Sequence, residues 1–163
     1  MTVVFYLSAA VAIISTVLVI TRLHAVHALL YMIISLLAVA IIFYTLGAPF
    51  IAALEVIVYA GAIMVLFIFV IMMLNLGHKS VEQERLILRP ADWIGPVVLA
   101  VVLGAEFFYM VLTGTPQSVT GNPVEPQAVG ASLYSTYLLG VELVGMLLLA
   151  GLVGAYHLGK KLK

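Results

Sequence analysis

The sequence predicts an all-α, polytopic transmembrane protein with five membrane-spanning helices, and three observations predict it. Only 9% of its 163 residues are charged and 65% are hydrophobic, whereas a soluble domain carries about 25% charge. Five apolar stretches are long enough to cross roughly 30 Å of hydrocarbon as helices. All seven Lys and Arg residues fall on one membrane face when five spans are drawn, and basic residues favour the cytoplasmic face.

The first span is read at residues 2–21, where Arg22 ends an uncharged run. The second is 26–46, closed by Gly47-Ala48-Pro49, and the third is 50–76, with Asn75 and Gly77 as C-terminal cap candidates. The fourth is 91–112 and the fifth 132–158. The whole chain, 1–163, reads as one transmembrane domain. Residues 78–90 carry Lys79, Glu82, Glu84, Arg85 and Arg89 and read as a cytoplasmic loop. Residues 113–131 are rich in Gly, Pro, Ser, Thr and Asn and read as a flexible loop on the outer, periplasmic side. This topology puts the amino terminus outside and the carboxyl terminus in the cytoplasm. A signal peptide is not expected, because no basic residue precedes the first apolar run. Continuous apolar runs also argue against β-barrel strands, which alternate.

Several function classes are excluded. The absence of cysteine removes thiolate metal sites, iron–sulfur ligation and disulfides. No basic patch points to nucleic acid. His24, His27, His78 and His157 lie near span ends, where they are poorly placed to hold haem between helices. Most aromatic residues that favour the interface also lie near span ends, namely Tyr6, Tyr44, Trp93, Tyr109, Tyr134, Tyr137 and Tyr156, with Tyr31 within about a turn. Tyr59 is the exception, roughly 13 Å into the third span.

Three acids fall inside spans: Glu55, Glu106 and Glu142. An ionised acid at the bilayer centre costs at least about 2.5–3.5 kcal/mol. Such groups therefore mark a proton or ion path, or a polar contact between helices. Glu142 is read as about ten residues into its span and near the midplane. For Glu106 the plainer reading is a carboxylate that snorkels outward beside Phe107, Phe108 and Tyr109. Glu55 has Tyr59 one turn further on, on the same helical face. Beyond it, Tyr59-Ala60-Gly61-Ala62 is compatible with close packing, a kink or a π-bulge. In the fifth span, Ala150/Gly154, Gly151/Ala155 and Ala155/Gly159 are pairs that let helix backbones approach closely.

Two stretches go further. One runs from Val26-His27-Ala28-Leu29-Leu30-Tyr31 through Glu55-Val56-Ile57-Val58-Tyr59-Ala60-Gly61-Ala62-Ile63-Met64-Val65-Leu66-Phe67 to Met73-Leu74-Asn75-Leu76. The other is Glu142-Leu143 followed by Met146-Leu147-Leu148-Leu149-Ala150-Gly151. Together they resemble the subunit J family of bacterial NADH–quinone oxidoreductase, respiratory complex I. The resemblance implies a five-helix subunit of the inner-membrane arm, packed against subunits A, H, K and N within the lipid bilayer. It implies no redox centre in this chain; FMN, iron–sulfur clusters, NADH and quinone belong to the parent complex. It also implies a π-bulge near Tyr59 to Val65 that gates a water path for proton translocation. By that resemblance Glu55, Tyr59, Gly61, Met64, Val65 and Phe67 form the functional segment, with Glu142 and Glu106 as secondary candidates.

Two other readings stand beside it. One is a small proton-coupled cation transporter or antiporter subunit that uses Glu55 alone. The other is a subunit needed only for assembly.

Overall fold

The computed structural model describes residues 2–22, 25–74, 90–113 and 123–160, with side chains at 74 and 90–92 left aside. The cap candidates Asn75 and Gly77, the 78–89 part of the charged loop, His24 and His78, most of the loop expected at 113–131, and Lys161 and Lys163 lie outside the described residues. Every regular element among the described residues is helical. These are α1 (Thr2–Thr21), α2 (Ala25–Thr45), α3 (Pro49–Leu54), a π-helical segment (Glu55–Ile63), α4 (Met64–Leu74), α5 (Pro90–Thr113), α6 (Pro126–Leu133) and α7 (Leu138–Gly159). Five helical stretches are long and apolar enough to cross a membrane, and the third of them runs through α3, the π segment and α4.

Expected and observed ends agree within two residues for the first, second and fourth spans. The fifth differs. Its first six residues are not part of α7: Ser132 and Leu133 close the short helix α6, and 134–137 form a turn closed by the Tyr137 amide on the Ser132 carbonyl at 3.0 Å. α6 occupies ground expected to be loop. Pro126 opens it from an extended Glu125, and a proline ring suits the first helical position, where no amide is needed.

The α2–α3 link is built from its sequence. Gly47 takes a φ of 85°, which a side chain would strain. The Ala48 amide reaches the Phe43 carbonyl and the Gly47 amide reaches Tyr44, at 3.0 and 3.1 Å. That is a Schellman closure, and Pro49 then starts the next helix.

The chain divides into two units, Met1–Pro123 and Val124–Lys163. In the first, α2 is the central helix, packed against α1 most extensively and also against α3, the π segment, α4 and α5; α1 also meets α5. The buried stripe of α1 is Val4, Ser8, Val11 and Ser15, spaced four, three and four residues apart. With Ile34, Ala38 and Ile41 of α2 and Leu103 of α5, the two valines form the apolar core. Lipid tails are as apolar as these side chains, so close packing and interhelical hydrogen bonds must hold the helices together. Small residues supply the packing, and Thr16 and Ser35 share a hydroxyl–hydroxyl bond of 2.9 Å between α1 and α2. In the second unit, no residue of α6 or α7 is buried.

Tyr31, six residues into α2, is fully buried. The Arg22 guanidinium lies 5.6 Å from its ring centroid, and its hydroxyl occupies the space a Cβ at Gly95 would take. Gly95→Ala is therefore expected to weaken the α2–α5 contact by about 1–3 kcal/mol, the usual cost of overpacking. A thermal denaturation series in detergent checks this. Tyr31→Phe in the Gly95→Ala background should recover part of the loss, because the hydroxyl is the nearest obstacle.

Candidate functional site

The third span places most of the expected site. Its first turn is an ordinary α-helix, and the Glu55 amide reaches Ala52 and Ile51. From Glu55 to Ile63 the turns widen, and at the far end the Met64 amide reaches both the Gly61 carbonyl, three residues back, and that of Tyr59, five residues back. A π-bulge expected near Tyr59 to Val65 is thus a nine-residue π segment at Glu55–Ile63, which starts four residues earlier. Gly61 fits this geometry. A Cβ there would stand 3.1 Å from the Val56 carbonyl oxygen, five residues before it. Val, Ile and Tyr crowd the wall elsewhere, so the segment is tightest where the side chain is missing.

The site residues do not share one surface. Met64 is fully buried, while Tyr59 is 51% and Val65 48% exposed on this chain. Phe67 is also exposed, and Glu55 and Gly61 are half-buried. Glu55 sits six residues beyond Pro49, about 9 Å along the helix. A cavity of about 590 Å³ lies beside the start of the π segment, walled by α2, α3 and α5. Its lining includes Tyr44, Ala52, Val56, Ala100, Gly104 and Phe107, so small side chains make much of the space.

The secondary acids behave differently from expectation. Glu106 does not snorkel outward. It is only 7% exposed, and the Ser8 hydroxyl of α1 donates to its Oε2 at 2.5 Å. Phe107, Phe108 and Tyr109 are the exposed residues there. The reason is a donor on the neighbouring helix, which a reading of α5 alone could not supply. Glu142 is not ten residues deep. α7 begins at Leu138, so Glu142 lies four residues in, about 6 Å from the helix start, and is exposed on its own unit. Glu106 is bonded to Ser8 and not to Glu55.

Among the described residues, no three His, Cys, Asp or Glu side chains converge to hold a metal. His27, near the start of α2, is buried, with its ring edge-on to Trp93 at 6.3 Å between centroids.

Fold and site together define a polytopic helical membrane protein whose third span carries an acid, a phenol and a glycine on π-helical backbone. Residues 15–158 match the family NADH-ubiquinone/plastoquinone oxidoreductase chain 6, and the chain belongs to that family. It is 58% identical over 159 residues to the NADH-quinone oxidoreductase subunit J of Pseudomonas aeruginosa, covering 96% of this chain and 95% of that one. It is 53% identical over 157 residues to the subunit J of Escherichia coli K12, covering 96% and 85%. The subunit J of Buchnera aphidicola from Schizaphis graminum is 48% identical over 160 residues, with 98% of each chain covered.

The π geometry gives a direct expectation. In Gly61→Val, the added side chain meets the Val56 carbonyl, and the span should relax toward α-helix. A structure of the variant should show the Met64 amide bonded to Ala60 in place of Tyr59. An unchanged bond to Tyr59 would show that Gly61 does not hold the segment open.

Proposed function

We propose that the third span of this chain gates a water-borne proton path, and that the chain serves as a non-redox membrane subunit of NADH-quinone oxidoreductase. The subunit assignment rests on relatives of that name that match nearly the whole chain. The flavin and iron–sulfur groups of such an enzyme belong to its other subunits. The observation that carries the gate is the π segment itself, nine residues long and beginning at an intramembrane acid.

The chemistry follows from helix geometry. Each residue of an α-helix turns the chain by about 100°, and widened turns lag behind that. Tightening Glu55–Ile63 to α would rotate α4 by at least one residue's share. Met64 would leave the interior and its exposed neighbours would turn toward it. Apolar side chains close a water path by dewetting it, so this rotation opens or shuts a file of water. Glu55 biases the choice, because its neutral and ionised forms favour different surroundings. Tyr59 places a hydroxyl one helical turn along the same segment.

The assembly follows the same reading. The exposed face of the third span is covered by neighbouring subunits of the membrane arm, with A, H, K and N as its neighbours. The amino terminus faces outward and the carboxyl terminus the cytoplasm, in the bacterial inner membrane. A free-standing cation transporter using Glu55 alone has less support, because the named relatives are oxidoreductase subunits.

Val65→Trp tests the gate. In membranes holding a normal amount of assembled enzyme, quinone-linked NADH oxidation and proton translocation should both fall several-fold. Normal values of both would leave the third span without a gating role.

A further inference from the structure

We propose that Glu106 and Ser8 form a proton-holding site of their own, on the contact between α1 and α5 and separate from the third span. It does not depend on the gate proposed above. Glu106 is more than nine-tenths buried, Ser8 is fully buried, and the two are joined by one hydrogen bond. The second carboxyl oxygen, Oε1, is buried with no hydrogen-bond partner among the described residues.

Charge decides the resting form of the acid. No Lys or Arg lies in any of the five spans. Among the described residues, the titratable groups on the packed elements offer no counter-ion. α1 carries Tyr6, which is exposed; α2 carries His27 and Tyr31 near its opposite end, and Tyr44. α5 carries the exposed Tyr109, and Asp92 near its opposite end, while the third span carries Glu55. A buried carboxylate without a cation is costly by several kcal/mol, so Glu106 rests as the neutral acid.

With Glu106 neutral, the 2.5 Å contact between Ser8 Oγ and Oε2 holds one hydrogen, with either oxygen as its donor. Oε1 has no hydrogen-bond partner among the described residues. When the proton leaves, Ser8 donates to the carboxylate, and bonds to ionised acceptors are the stronger ones. This carboxyl is held at one oxygen and unbonded at the other. Glu106 lies seven residues before Thr113, about 10 Å from that end of α5, and Ser8 lies six residues beyond Thr2. Exchange is therefore with the membrane face at which α5 ends and α1 begins.

Infrared difference spectroscopy on the assembled oxidoreductase in membranes, with pH stepped upward, tests this. The expected result is a neutral-carboxyl band that declines as pH rises and is lost in Glu106→Gln. In Ser8→Ala that band should shift, because the carboxyl loses its hydrogen-bond partner. If Glu106→Gln removes no such band, or removes one that pH does not alter, the proposal is overturned. Should the glutamine variant fail to assemble, the unaltered enzyme is treated with a lipid-soluble carbodiimide, which attacks neutral carboxyls. Modification of Glu106 that declines with rising pH supports the site; absent or pH-independent modification overturns it. Neither readout uses turnover, so a failed gate in the third span leaves both outcomes intact.

Discussion

Hydrocarbon offers no hydrogen-bond partner, and that single constraint shapes every part of this molecule. Backbone groups inside the bilayer must be satisfied within the chain. Four threonine hydroxyls follow the same rule: Thr16, Thr21, Thr45 and Thr113 each return to a carbonyl three or four residues back on their own helix, whereas the buried Ser15 hydroxyl has no partner among the described residues. The sharp α2–α3 turn closes its carbonyls with a Schellman pair before Pro49 begins the next helix. The π segment obeys the rule in a less common way. At its far end the Met64 amide still reaches carbonyls, three and five residues back, so the winding changes without opening a gap. The gate proposed for this span needs a second winding within a few kcal/mol of this one.

The same constraint explains which elements pack and which stand bare. Helices in lipid gain nothing from burying apolar surface against one another. α1 and α2 associate where Ser8, Ser15 and Ala38 permit close approach and where Thr16 meets Ser35. The third span packs against α2 along one side. Most of its large side chains are exposed on this chain, and so are those of α7. Tyr59 cannot be left against acyl tails without a partner for its hydroxyl. The bare faces and the stranded phenol both favour a chain that completes itself against other protein.

Much of this was legible in the residues. Length and hydropathy placed five spans, since those depend only on runs of apolar side chains. Gly47-Ala48-Pro49 announced its turn, whereas the residues of the third span left close packing, a kink and a π-bulge open, and only the family resemblance implied a bulge, at Tyr59 to Val65 rather than at Glu55 to Ile63. Failures came where the answer lay on another helix. Glu106 looked like a snorkelling carboxylate because α5 alone offers it only aromatic neighbours; its true partner, Ser8, is 98 residues away in sequence. Tyr31 read only as a residue near a span end, because its burial depends on Gly95, which reads as an unremarkable small residue. Glu142 was placed too deep because Ser132 to Tyr137 carry no charge or proline to stop a span, and local turn geometry decides otherwise.

The most direct test is a comparison of the assembled enzyme at rest and during turnover, at a resolution that shows the hydrogen bonds of the third span. The account predicts that in one state the Met64 amide bonds to Tyr59 and its side chain points inward, while in the other the bond moves to Ala60 and the side chain turns away. An identical π ladder from Glu55 to Ile63 in every state, with Met64 fixed inside, would contradict it.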